Sequence, residues 1–245
     1  MIVERAEHPD WLSNAYLVAE GGTGVLVDNN GVAGPLHERA EAEGIEITHI
    51  LLTHGHMDHV VDVEGLKERF AVPVLAHARA AAELEVVDET LDDGQTLTTG
   101  DLSIRAILTE GHAAGHLALL VNDSDCLTAD VIFKGTVGGT KAPSATGFGD
   151  LKSSIMDRLM ALPTETRLHP GHREHTSVAE EWESNPFVRI WRGLDPEGDE
   201  PCRVGEDEQE ATLVLWAPDY DGTNKAWVRF ADGEDAIVGG SQVKR

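Results

Sequence analysis

The chain has 245 residues, 41% of them hydrophobic, enough for one sizeable core and a small appended module. Its formal net charge is −25, spread along the sequence, so its surface repels phosphate backbones and nucleic acid is excluded as an expected partner. The two cysteines, Cys126 and Cys202, form no CxxC pair, which rules out a disulfide framework and fits a reducing compartment.

The opening stretch MIVERAEHPDWLSNAYLV carries early charges and no long apolar segment, so no secretory leader is expected. No apolar run reaches the roughly 18 residues of a membrane span. The expectation is a soluble cytoplasmic protein without membrane contact. NAYLVAEGGTGVLVDNNG reads as two short strands around a Gly-Gly turn, and AGPLHERAEAEG as a helix ending at Gly44. EITHILLTH is a buried strand. VVDVEGLKERFA places Val60, Val63, Leu66 and Phe70 at helical spacing. VPVLAH is a further short strand, and ARAAAELEVV is rich in helix formers. From about Gln95 the pattern alternates, giving a hairpin in QTLTTGDLSIRAILTEGH and two strands in LALLVNDSDCLTADVIF. GDLKSSIMDRLMALP predicts an amphipathic helix stopped near Pro163, TRLHPGHREH a last strand and loop, and SVAEEWESNPFVRIW a closing helix. Strands and helices alternate throughout, which defines an α/β class. After GLDPEGDEPC the composition shifts to alternating, aromatic, turn-rich sequence. The expected division is a main domain over 1–195 and a small β module over 196–245, which an SH3-like barrel would satisfy.

The chemistry concentrates in THGHMDH, where His54, His56, Asp58 and His59 fall within six positions. On a helix, His54 with Asp58 and His56 with His59 would face roughly 200° apart, at about 100° per residue. In an extended segment His54, His56 and Asp58 point the same way, and a turn after Asp58 brings His59 round as the next helix starts. Gly55 is expected to let the backbone pass close to a bound ion. Four such ligands oversupply one tetrahedral ion, so two ions sharing the loop fit better, each needing partners from elsewhere. The candidates are His112 and His116 in EGHAAGH, Asp130 after an apolar strand in LTADVIF, and His169, His172 and His175 in HPGHREH.

These four segments in this order (THxHxDH, GHxxGH, an Asp ending a strand, PGH) resemble the metallo-β-lactamase superfamily, over about residues 1–195, and within it the glyoxalase II-like hydrolases. The resemblance implies an αββα sandwich, a four-layer α/β fold with the metal site at one edge. It implies that His54, His56 and His112 bind one divalent ion, that Asp58, His59 and His172 bind a second, and that Asp130 bridges them. His116 is then a structural support. Zinc is the expected metal, with iron or manganese compatible. The implied reaction is thioester hydrolysis of a small-molecule substrate by water activated between the metals, with Asp58 orienting the nucleophile and taking its proton.

The chain departs from this pattern in two places. The helical C-terminal domain of the larger glyoxalase II enzymes is replaced by the β module. The segment after Asp130, FKGTVGGTKAPSATGFGD, offers only Lys134 and Lys141 as cations, and Lys141 is the candidate for substrate binding. The main alternative is a persulfide dioxygenase, with a single iron on His54, His112 and Asp130. A nuclease or a lactonase of the superfamily is a weaker one. The module, with five basic against thirteen acidic residues from Asp195 onward, also disfavours nucleic acid, and it is compatible with a role as cover, partner surface or homo-oligomer contact.

Overall fold

The computed structural model describes residues 1–245. Two six-stranded sheets pack face to face. The first runs in the order Ile2–Glu7, Asn14–Glu20, Thr23–Val27, Glu46–Leu51, Val74–Ala76 and Glu89–Thr90. The second runs Thr176–Ser177, Arg167–Pro170, Asp125–Ala129, Leu117–Val121, Leu102–Leu108 and Thr96–Thr99. Strands at the centre, such as Thr23–Val27 and Leu117–Val121, are buried on both faces and are correspondingly continuous in apolar residues. Tyr16, Val18, Val25, Val27, Leu102, Ile104, Leu117 and Leu119 fill the space between the sheets.

Helices cover both outer faces. Gly34–Glu43 starts with Pro35 in its first turn and ends at Gly44, whose left-handed φ of 66° lets its N–H cap the carbonyls of Ala40 and Glu41. With Val63–Phe70 it covers the first sheet through Leu36, Ala40, Val63 and Leu66. The other sheet is covered by Phe148–Ser153, which continues as a π-helical turn over Ser154–Leu159, and by Val178–Ser184 and Pro186–Trp191. The expected single closing helix is thus two. Pro186 begins a new helix, and the Asn185 side chain caps it by accepting from the N–H groups of Phe187 and Val188. The expected helix in ARAAAELEVV shrinks to Ala78–Ala81. No helix is long and apolar enough to cross a membrane.

The C-terminal segment forms a five-stranded antiparallel sheet in the order Asp235–Gly239, Asn224–Phe230, Gln209–Pro218, Glu200–Val204 and Val243–Lys244. Val204, Leu213, Val228 and Val238 pack on one another. Val214, Ala217, Trp227 and Ile237 instead join the cluster of Leu151, Ile155, Phe187 and Val188, so the sheet shares a core with the helices of the second layer. Ile237 also exchanges two hydrogen bonds with Thr140, its carbonyl accepting from the Thr140 N–H at 2.9 Å and its N–H donating to Thr140 Oγ1 at 2.9 Å.

The parallel strand pairs locate the chemistry. Thr23–Val27 runs parallel to Glu46–Leu51, and Asp125–Ala129 parallel to Arg167–Pro170. Asp28, Thr53-His54, Asp130 and His172 all lie just beyond the carboxyl ends of these strands, where sheets of this kind open a crevice.

Candidate metal centre

THGHMDH is extended through His56 (φ −71°, ψ 143°), and a short helix then begins at Met57. The helix therefore starts one residue before Asp58 rather than after it. His54 and His56 leave from the extended part, while Asp58 and His59 leave from the helical turn. A Cβ at Gly55 would meet no protein atom nearer than 4.0 Å. Gly171 of PGH packs tightly: a Cβ there would lie 2.0 Å from Asp130 Oδ1. Ala129 holds a left-handed φ of 41°, which turns Asp130 out of its strand.

Three groups of side chains stand close enough to share an ion: His54, His56, His112 and Asp130; Asp58, His59 and His172; and Asp28, His54 and His59. Asp130 lies between the first two. Its Oδ1 is 3.4 Å from His59 Nε2, and its Oδ2 is 3.3 Å from His172 Nε2, 3.5 Å from His112 Nε2 and 3.9 Å from His54 Nε2. Asp58 Oδ2 is 3.6 Å from His59 Nε2 and 3.5 Å from His172 Nε2.

The hydrogen bonds behind these rings fix which nitrogen faces inward. His56 Nε2 donates to the Pro143 carbonyl at 3.0 Å, His112 Nδ1 to the Gly139 carbonyl at 3.0 Å, and His172 Nδ1 to the Trp11 carbonyl at 3.1 Å. A carbonyl can only accept, so the opposite nitrogen of each ring carries a lone pair. His59 Nδ1 donates to Asp28 Oδ2 at 3.0 Å. The Thr53 hydroxyl donates to Asp28 Oδ2 at 2.8 Å, so it accepts from His54 Nδ1 at 3.0 Å. In its neutral form each of the five rings therefore turns its free nitrogen toward the centre, oriented from behind in the manner that metal-binding histidines require. His112 Nε2 and His56 Nδ1 stand 2.9 Å apart with lone pairs facing. His54 Nε2, His59 Nε2 and Asp130 Oδ1 are buried and unpartnered. Buried polar atoms without partners are costly in a protein interior, and a cation among them removes that cost. The residues fit divalent metal.

His116 differs. Its Nε2 accepts from the Asp130 N–H at 3.1 Å and its Nδ1 donates to Thr109 Oγ1 at 2.9 Å, so both nitrogens are used and it supports the Asp130 turn. His169 is bonded to Asp125 at 2.7 Å, and His175 only packs against it.

Charge follows the same geometry. Burial, then the neighbouring His59, holds His54 well below the usual imidazole range. Burial lowers His112 to about 4 and His116 to about 3, so all three are neutral at physiological pH. Burial would also lower His59, but the Asp130 and Asp28 carboxylates outweigh it and raise His59 to about 9. Without a cation, a proton on His59 partly balances the carboxylates. Burial would raise Asp130, yet His172 and His59 hold it well below the usual carboxylate range.

Asp28 and Tyr220 were not singled out by sequence. Asp28 ends the apolar run GVLV as Asp130 ends CLTA, and that shared pattern could have found it. Tyr220 comes from the C-terminal sheet and stacks on the His172 ring, with centroids 4.4 Å apart and planes 22° apart. Burial, then the Asp130 charge, pushes its phenol above the usual range. The Lys141 ammonium is bonded to Glu234 at 2.6 Å and lies 5.4 Å from the Phe230 ring centre. Lys134 pairs with Glu180 at 3.2 Å. The same segment supplies the Gly139 and Pro143 carbonyls that orient His112 and His56.

Residues 8–172 match the family profile described as the metallo-beta-lactamase superfamily. The chain belongs to this superfamily. It is 32% identical over 183 residues to a hydroxyacylglutathione hydrolase of Acidiphilium cryptum, covering 75% of this chain and 70% of that one. It is 27% identical to the probable metallo-hydrolase YqgX of Bacillus subtilis, covering 72% and 92%. Among solved structures, TTHA1623 in a di-iron-bound form superposes with a TM-score of 0.65 at 31% identity, covering 76% of this chain and 100% of that one. ETHE1 from Myxococcus xanthus superposes with a TM-score of 0.70 at 25% identity, covering 80% and 92%.

Proposed function

We propose that the chain is a dinuclear metallohydrolase that cleaves a small-molecule thioester of the hydroxyacyl type. The observation that carries this reading is the set of five histidines, each tied from behind by one ring nitrogen and each turning the other toward Asp130. His54, His56 and His112 would hold one divalent ion, and Asp58, His59 and His172 the other, with Asp130 shared between them. When bound, such ions acidify water toward neutrality and polarise a scissile carbonyl. The chain's own groups do the rest. Asp58 is the most exposed of the carboxylates facing the histidines, its side chain 28% accessible, and it would orient the attacking water and accept its proton. Asp28 and Thr53 keep the lone pairs of His54 and His59 available. Cys126 is fully buried and its thiol is pushed up to about 12 by burial, so it does not serve as a nucleophile.

The hydroxyacylglutathione hydrolase likeness supports the thioester class, and the di-iron-bound relative supports a two-ion count with iron standing beside zinc. Lys141 remains the candidate for substrate binding from the segment after Asp130, its exposed pair with Glu234 being weak enough to exchange for a ligand. A cytoplasmic setting fits two buried free cysteines, and the −25 charge disfavours nucleic acid. A second reading, a mononuclear-iron persulfide dioxygenase, is favoured by one observation: His54, His112 and Asp130 alone make a two-His, one-carboxylate set. Hydrolysis of S-lactoylglutathione assayed beside oxygen uptake with glutathione persulfide separates the two. Thioester cleavage without oxygen uptake is expected; oxygen uptake with iron and no thioester cleavage under any metal would refute the proposal.

A further inference from the structure

The C-terminal sheet does more than cover the second helix layer. The hairpin joining Gln209–Pro218 to Asn224–Phe230 carries its tip to the metal centre, on the side of Asp58, His59 and His172. This hairpin lies beyond the residues that match the superfamily. Tyr220 at the tip is half-buried, stacked on His172 and packed against Phe133 with ring centres 4.7 Å apart. Phe133 in turn meets the His172 ring at 5.6 Å.

The tip is held on several sides. Asp219 and Lys225 form an ion pair at 2.9 Å with both side chains at or below 10% exposure, and the Lys225 ammonium lies 5.5 Å from the Tyr220 ring centre. The Tyr220 N–H donates to Asp219 Oδ1 at 2.9 Å. Its carbonyl accepts from Nε of Arg173, the residue following His172, at 3.4 Å. Asp221 closes the turn by accepting from the Thr223 N–H at 2.8 Å and its hydroxyl at 2.6 Å. So much fixation of a surface hairpin places one side chain at the centre, which is how sites obtain a preorganised group.

What that side chain offers is a phenol. The hydrogen bonds that fix Tyr220 run through its backbone, and its ring is occupied by His172 and Phe133, so the hydroxyl remains for a ligand. We propose that Tyr220 is a substrate-contacting residue supplied by the C-terminal sheet, its hydroxyl donating a hydrogen bond to an acyl or carboxyl oxygen of the molecule bound against Asp58, His59 and His172. The assignment rests on the hydrolase reading above and deepens it. The cations beside the tip are already paired, Lys225 with Asp219 at 2.9 Å and Arg173 with Glu7 at 3.1 Å, which leaves the phenol as the donor for an acyl or carboxyl oxygen.

The test uses the full chain loaded with zinc, carrying 13C-labelled histidine, with lactate, the acid released from the simplest hydroxyacyl thioester, as the probe. Tyr220→Phe keeps the ring and removes the donor. It is expected to bind zinc as the wild type does, to leave the His172 ring shifts in place and to weaken lactate binding about three- to tenfold, the size of one lost hydrogen bond. KM for S-lactoylglutathione should rise by a similar factor, with kcat moving less. Tyr220→Ala should in addition move the His172 ring signals downfield as the stacked ring is lost. Lactate affinity unchanged in Tyr220→Phe, no saturable lactate binding by the wild type, or zinc lost from Tyr220→Phe would each overturn the assignment. A wild-type chain that cleaves no thioester but shows Tyr220-dependent lactate binding would sink the reaction class and leave the tyrosine's role standing.

Discussion

Asp28→Asn probes the site through the hydrogen bonds that hold its histidines. Asp28 Oδ1 accepts from the Thr53 N–H at 2.8 Å, while Oδ2 accepts from the Thr53 hydroxyl at 2.8 Å and from His59 Nδ1 at 3.0 Å. An asparagine amide can keep the first bond at its carbonyl oxygen, but its NH2 group cannot accept the other two. His59 would move its proton to Nε2, the atom that faces Asp130 and Asp58. Thr53 would turn its hydroxyl hydrogen away, and His54 would lose the acceptor that fixes its tautomer. The backbone is not at issue: residue 28 has a left-handed φ of 57°, and asparagine adopts that region readily. Loss of a carboxylate behind a ligating histidine typically costs about 10–100-fold in metal affinity, or about 1.4–2.7 kcal/mol. A chelator-competition titration on the refolded apoprotein reads this directly, with circular dichroism to show that the fold is kept. Asp28→Asn binding both ions as tightly as the wild type would refute the tautomer argument.

Three further outcomes follow from other parts of the molecule. Gly171→Ala places a methyl 2.0 Å from Asp130 Oδ1, so metal should be lost together with several °C of melting temperature, and a variant that retains both would show that the PGH turn yields more easily than its packing suggests. Trp227 is 3% exposed in the cluster it shares with Leu151 and Phe187, so Trp227→Ala should cost about 3–5 kcal/mol in one cooperative urea transition. Two separate transitions, with only the C-terminal one shifted, would mean that the sheet folds by itself. Burial would raise Asp125, but hydrogen bonds from His169, Arg167 and Ser124 outweigh it and hold the carboxyl below its ordinary value. Its folded pKa is therefore depressed, and its contribution is present above about pH 4 and lost as pH falls below that. Asp125→Asn should accordingly flatten the acid limb of stability against pH measured between about pH 5 and 2, and an unchanged limb would contradict the assignment.

The side chains gathered at the candidate metal centre were legible because their signals are local: a strand running into THGHMDH, a GHAAGH loop, and Asp130 and His172 each one or two residues past an apolar strand. The helix ended by Gly44 and the hairpin after Gln95 were legible for the same reason. What escaped the sequence depends on distant partners. Asp28 looks like an ordinary strand-ending turn residue until the parallel pairing of Thr23–Val27 with Glu46–Leu51 sets it behind His59. Tyr220 lies 48 positions from His172, in a sheet whose alternation shows only that it has an interior of its own. Lys141 drew attention as one of two cations in its segment, but the glutamate that holds it comes from that same C-terminal sheet. The division of SVAEEWESNPFVRIW into two helices could have been read from Asn185-Pro186, where a capping residue precedes a proline.

The central claim is that two divalent ions are held by divided halves of THGHMDH. Metal content per chain, measured by elemental analysis on wild type and on His56→Ala, tests it most directly. Two equivalents in the wild type, falling toward one when His56 is removed, is the predicted result. A single iron in the wild type, or two ions undiminished in His56→Ala, would contradict it.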